Sequence, residues 1–235
     1  MSIEYLRTMN MWFPDPEEAG PDGLLAFGGD LSPERLVAAY ANGIFPWYGP
    51  GEPILWWCPD PRLVLEPSEL HIPRSLRRVI NARRFRITLD EAFPAVIGGC
   101  AHVCRGDDVG TWLVPEMIEA YNRLHALGVA HSVEAWDGDE LVGGLYGVAV
   151  GRVFFGESMF HLRPDASKVA FVHLARLLER WDYGLVDCQQ TTHHLLRFGA
   201  YEISRAEFLE RLVRLREERP APSAWIMPEG FDPLR

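Results

Sequence analysis

The stretch that decides the fold runs from His131 to Phe160, HSVEAWDGDELVGGLYGVAVGRVFFGESMF. It reads as three strands, His131 to Trp136, Glu140 to Val150 and Arg152 to Phe160, with hairpin turns at Asp137-Gly138-Asp139 and Val150-Gly151. Downstream, Ala166 to Trp181 is predicted as a long helix and Leu185 to Cys188 as a short buried strand. Further helices are expected from Thr191 and from Ser204. Upstream, Pro115 to Leu127 reads as a helix with Met117, Tyr121, Leu124 and Leu127 on one face and Gly128 as its stop. Before it come a basic helix over Pro73 to Arg83, a strand over Arg86 to Leu89, and a helix toward Cys100 that Asp90 would cap. A meander flanked by helices and closed by a strand and more helices is an α+β arrangement, expected over residues 65–235.

Residues 1–64 have a different texture, rich in Pro, Gly and Trp, and are expected to form a small N-terminal domain. One helix is clear there. Ser32 can cap it, Pro33 suits its first position, and Gly43 stops it after an apolar stripe of Leu36, Val37, Ala39 and Tyr40. Asn42 to Arg62 holds five prolines and three tryptophans, which rules out a long helix or a central strand and leaves loop and short edge strand.

The totals exclude several function classes. The longest apolar run, Leu141 to Val150, is broken by three glycines, so no membrane span is expected. The start of the chain lacks an apolar leader, and four cysteines form no disulfide framework, so a cytoplasmic, reduced protein is expected. Walker, GxGxxG and HExxH motifs are missing, so neither ATP, a dinucleotide nor a HExxH-type metal is anticipated. Cys100, His102 and Cys104 match no common zinc spacing, and no metal is expected. A net charge of −10 argues against a general nucleic-acid binder. Between Leu70 and Ile87, however, six arginines stand without an acid. Lys168 is the only lysine, which explains why basic positions are arginine but not why acids avoid this segment. A phosphate-binding patch is the functional reading.

Two segments could carry chemistry. In Phe154 to Phe160, strand alternation puts Glu157 on one face with Phe155 and Met159, either as a solvated edge glutamate or as a carboxylate needing a cationic or hydrogen-bonding partner. In Leu185 to Gln190, Asp187 and Gln189 share a face at a strand end, suited to orienting a substrate, unless Asp187 or Thr191 simply caps the next helix. Trp47 and Trp112 sit in loops, where an indole can stack on a base. No Ser or Cys nucleophile with its base is evident, so covalent catalysis is not expected.

The ordered set of segments resembles the leucyl/phenylalanyl-tRNA–protein transferase family. It comprises Gly23 to Pro33, Tyr40 with Asn42 to Trp47, Pro53 to Arg62, Gly110 to Trp112, Ala120 to His125, Val142 to Gly147, Gly156 to Phe160, Ala166 to Lys168, and Asp187 to Gln189. The resemblance implies a larger C-terminal domain of the acetyltransferase-like (GNAT) superfold. It also implies transfer of Leu or Phe, and less well Met, from aminoacyl-tRNA to proteins beginning with Arg or Lys, feeding the bacterial N-end rule pathway. The expected enzyme is a monomer without cofactor. Asp187, Gln189 and Glu157 would be its catalytic group. Leu145, Phe154, Phe171, Leu174 and Val186 would line the donor pocket, with Trp47 and Trp112 flanking the terminal adenosine. Arg74, Arg78, Arg83 and Arg84 would hold tRNA phosphates. The rivals are an acyl-CoA-dependent N-acyltransferase, which would want a glycine-rich loop where Arg163 to Lys168 stands, and a non-enzymatic module binding N-degrons or tRNA ends.

Overall fold

The computed structural model describes residues 3–7, 11–102, 113–218 and 225–235. The chain opens with β1 (Glu4–Leu6), β2 (Leu24–Gly28), α1 (Pro33–Ala41), β3 (Phe45–Pro46) and β4 (Leu55–Trp57). The Ser32 hydroxyl accepts from the Arg35 amide to start α1, and Gly43, at φ +74°, turns the chain after it. The strands form a sheet in the order β1-β2-β4-β3. Strands of two to five residues built around Pro and Gly show no alternation, and in this segment only loop and short edge strand were expected from the sequence.

Next come β5 (Arg62–Leu65), α2 (Arg74–Asn81), β6 (Arg86–Leu89), α3 (Phe93–His102) and α4 (Pro115–Ala126). The chain continues through β7 (Ala130–Asp137), β8 (Glu140–Val150), β9 (Val153–His161) and α5 (Ala166–Arg180). It closes with β10 (Leu185–Gln189), α6 (His193–Leu196), β11 (Tyr201–Ile203) and α7 (Arg205–Arg216). The second sheet has the order β11-β5-β10-β9-β8-β7-β6. Its pairs are antiparallel apart from β9 and β10, which α5 joins in parallel. Residue 64, the expected end of the small domain, lies within β5, an inner strand of this sheet.

Each face of the large sheet has its own core. On one face α2, α5 and the C-terminal residues pack over Leu145, Phe154 and Val186. On the other, α3, α4 and α7 share a continuous core with α1 and the small sheet, running from Tyr40 and Trp56 to Tyr121, Phe155 and Phe208.

Three local expectations are corrected. Asp90 does not cap α3: it is left-handed at φ +58°, and its carboxylate takes the Ser132 amide and the His131 imidazole, each at 2.7 Å. Leu127 is not on the buried face of α4; it follows the last turn and is 62% exposed. Met159 does not share a face with Phe155. The register runs from Gly147↔Gly156 to Tyr146↔Ser158, so Glu157 is the extra residue of a β-bulge and alternation changes parity beyond it. Phe155 and Phe160 therefore face one core, while Met159 packs against the other.

Candidate active site

The parallel pair β9–β10 stays in register from Leu185↔Val153 to Asp187↔Phe155. Beyond it both strands are bulged, at Glu157 and between Asp187 and Gln189. The bulges re-aim side chains at the mouth of a cavity of about 590 Å³. Leu145, Phe154, Phe171, Leu174 and Val186 line its apolar part, all of them buried. The structure thus gathers the five residues that the family resemblance assigned to the donor pocket. Glu157 and Gln189 supply the polar edge, and Trp47 reaches the rim.

Glu157 is held from three sides. The Tyr40 hydroxyl donates to Oε1 at 2.7 Å, the Tyr121 hydroxyl to Oε2 at 2.9 Å, and the Gln189 amide nitrogen to Oε1 at 2.9 Å. The two tyrosine hydroxyls also hydrogen-bond each other. Burial dominates the carboxyl's acidity and pushes it up to about 7, although the bonds from Tyr40, Tyr121 and Gln189 pull it down; the charge of Asp187 adds to the rise. Burial and the neighbouring Glu157 hold both tyrosines well above their ordinary value, so they remain donors at neutral pH.

Asp187 is fully buried and does not line the cavity. Arg62 clamps it with two bonds, Nε to Oδ1 at 2.8 Å and Nη2 to Oδ2 at 2.6 Å. The guanidinium lies over the rings of Phe208 and Phe45, at 4.4 and 5.0 Å from their centroids. Oδ1 of Asp187 also accepts the Gln189 backbone N–H at 2.9 Å, and Gln189 itself is held left-handed at φ +61°. Asp187 thus fixes Gln189 through its main chain. Among the described residues nothing donates to the Gln189 amide oxygen. Cys188 between them lines the cavity, but burial, reinforced by Asp187, raises its thiol far above the ordinary range, which leaves it a poor nucleophile.

Trp47 is 39% exposed and tilted against Trp57 at 5.7 Å, while the Trp57 indole donates to the Trp47 carbonyl at 2.6 Å. Trp112 lies outside the described residues, as does Cys104. On α2, Leu76 and Ile80 face the core while Arg74 and Arg78 lie outside it; Arg83 and Arg84 follow, both exposed. Among the described residues none of these four makes an ion pair.

Sequence reasoning did not mark Tyr40, Tyr121 or Arg62 as site residues. The tyrosines sit on apolar helix stripes and read as core, and the available signal was that a buried phenol needs a polar partner. For Arg62 the signal was the requirement that a buried Asp187 find a cation.

Comparison with known proteins adds to this geometry. The family described as leucyl/phenylalanyl-tRNA protein transferase matches residues 64–213, and its N-terminal domain matches residues 29–60. The chain is 61% identical over 236 residues to the leucyl/phenylalanyl-tRNA–protein transferase of Oleidesulfovibrio alaskensis, covering 98% of this chain and 95% of that one. It is 62% identical over 221 residues to the protein so named in Nitratidesulfovibrio vulgaris, covering 94% of each chain. A third, from an Anaeromyxobacter species, is 61% identical over 221 residues with the same coverage.

Proposed function

Because the chain belongs to the leucyl/phenylalanyl-tRNA–protein transferase family, and is therefore an aminoacyltransferase, we propose that its cavity holds the aminoacyl end of a charged tRNA while Glu157 and Gln189 act on the attacking amine. The observation that carries this is the Glu157–Gln189 pair at the polar edge of an otherwise apolar cavity.

The donor's Leu or Phe side chain, and less well Met, enters the apolar end between Leu145, Phe154, Phe171, Leu174 and Val186. A β-branched side chain meets those walls, a discrimination that shape supplies to about 1–3 kcal/mol. Trp47, with Trp112, flanks the terminal adenosine. Arg74, Arg78, Arg83 and Arg84 take acceptor-stem phosphates, which position the ester without any reading of sequence.

The ester is already activated, so neither ATP nor CoA is required. The acceptor is a protein beginning with Arg or Lys, whose α-amine has an ordinary pKa of about 7.7–8.0 and is mostly protonated at neutral pH. Glu157, poised near 7, takes that proton. The Gln189 amide oxygen accepts from the amine and holds its lone pair toward the ester. Nitrogen attacks the carbonyl carbon and the C–N bond forms; the C–O bond to ribose breaks, and the ribose oxygen leaves as a hydroxyl with the proton that Glu157 returns. The second proton shed by the nitrogen then passes to the freed Glu157 carboxylate and from there to solvent. Asp187 acts as a positioning residue through Gln189.

The parallel β9–β10 pair joined by α5 in an otherwise antiparallel sheet supports assigning the chain from β5 onward to the GNAT superfold, with the residues before β5 as the small N-terminal unit. We place the enzyme as a monomer in the bacterial cytoplasm, feeding the N-end rule pathway. Consistent with this, no helix among the described residues is long and apolar enough to cross a membrane.

The test is incubation with radiolabelled Leu-tRNA and two reporter proteins, one beginning with Arg and one with Met, without ATP or CoA. Label is expected only on the Arg reporter. Intact ester and unlabelled reporters would overturn the reading and bring the acyl-CoA alternative forward.

A further inference from the structure

Residues 225–235, beyond the last residue matched by the family, contain neither helix nor strand and pack over the face of the large sheet that carries α2 and α5. Trp225 anchors them. Its indole stacks on the His131 ring at 4.0 Å and 8°, and meets Trp181 edge-on at 5.2 Å. His131 is itself fixed, because its Nδ1 pairs with the Asp90 carboxylate at 2.7 Å. On another side the indole tilts against the ring of Phe154, at 5.6 Å and 38°.

Phe154 is a wall of the cavity, and Trp225 is not. Gly147 also restrains the Phe154 ring, whose tip lies over it: an added Cβ there would come 2.5 Å from Cζ. A bare backbone in β8 and the indole of the C-terminal segment thus both bear on the ring within its buried core. A phenyl ring has a broad torsional well about its last bond, so without a neighbouring plate it can tilt.

We propose that Trp225 is a positioning residue for donor choice: by fixing Phe154 it sets the depth of the apolar end, and with it the balance between a leucyl and a phenylalanyl donor. This rests on the transferase reading above and extends specificity to a segment that lines no part of the cavity. With Trp225 cut back, Phe154 relaxes into the vacated space, the pocket deepens, and the longer phenyl side chain gains relative to leucyl.

The experiment measures kcat and KM for Leu-tRNA and Phe-tRNA separately, with one Arg-initiated acceptor, in wild type, Trp225→Ala and Trp225→Phe. In Trp225→Ala the Phe-to-Leu ratio of kcat/KM is expected to rise about tenfold, the scale on which pocket shape discriminates small apolar differences. Binding of uncharged tRNA should not change. Trp225→Phe keeps an aromatic plate and should return most of the wild-type ratio. Equal losses with both donors, leaving the ratio where it was, would reduce Trp225 to a structural role and overturn the inference. If Trp225→Ala does not fold, Trp225→Leu, which fills volume without a flat plate, carries the same expected shift and the same refutation. Wild-type protein that transfers neither donor would instead sink the transferase reading, and this inference with it.

Discussion

Arg62 and Asp187 form a buried charged pair behind the cavity, tied to its edge through the Gln189 amide. Both are buried, and among the described residues each is the other's only ion-pair partner. Asp187→Ala leaves an unpaired buried guanidinium, and chemical denaturation should show a loss of about 3–5 kcal/mol. Replacing the pair together, Arg62→Met with Asp187→Leu, should recover much of that stability yet leave transfer low, since the bond to the Gln189 amide is still gone. Recovery of both would mean that Asp187 has no role beyond its charge. Glu157 makes a separate prediction. As pH falls through about 7 its carboxylate takes a proton and can no longer accept one from the amine, so the wild-type rate should fall on the acid side of about 7. Glu157→Gln should be slow and lack that limb. The stability sign is opposite to that of a paired carboxylate. Folding raises this carboxyl from its ordinary 4.5 to about 7, so the native state holds the extra proton and stability is lost as pH rises through that window. Glu157→Gln should remove that loss, which a series of melting curves from pH 4 to 8 would show.

Among the elements, β9 matters most. A regular strand would have aimed Glu157 and Met159 alike; the bulge leaves Glu157 on the side of Phe155 and the tyrosines and turns Met159 to the other core. Bulges depend on the partner strand, so period-2 reading could not locate this one. Gly147 opposite lies against the Phe155 carbonyl oxygen and the Phe154 ring, which an added Cβ would approach to 2.5 Å or closer, so Gly147→Ala should cost about 1–3 kcal/mol by overpacking. A lower melting temperature together with reduced transfer would register it, and an unchanged melting temperature would argue against the tight approach. Helix α2, read from the sequence only as basic, divides into a buried side of Leu76 and Ile80 and a basic one. Arg74→Glu with Arg78→Glu should weaken aminoacyl-tRNA binding and lower the salt slope by about 1 for each phosphate no longer neutralised. Filter-binding across a salt series measures this, and an identical slope would remove α2 from the interface.

At the scale of the whole molecule, the small N-terminal unit contributes to the site as well as to packing. Tyr40 on α1 crosses to Glu157 in β9, and the core beneath is continuous between them. The Tyr40 bond pulls the pKa of Glu157 down, so Tyr40→Phe should move the acid limb of the rate profile to higher pH while the protein stays folded. A limb that does not move would detach α1 from the chemistry.

The sequence by itself determined the helices with clear caps and glycine stops, the meander and the basic segment, and it marked the carboxylate and amide that edge the cavity; the apolar pocket residues came from the family resemblance. These signals act within a turn or a strand, where propensity, capping and alternation are local. Tertiary structure alone decided what those residues meet. Tyr40 lies 117 positions from Glu157, and Arg62 lies 125 from Asp187. Such pairs are fixed by the order of strands in the sheet and by the two bulges, which set where the parallel strands part. That is also why Asp187, which the sequence placed beside Gln189 at a strand end, lies buried behind the cavity wall: only the fold set Arg62 against it.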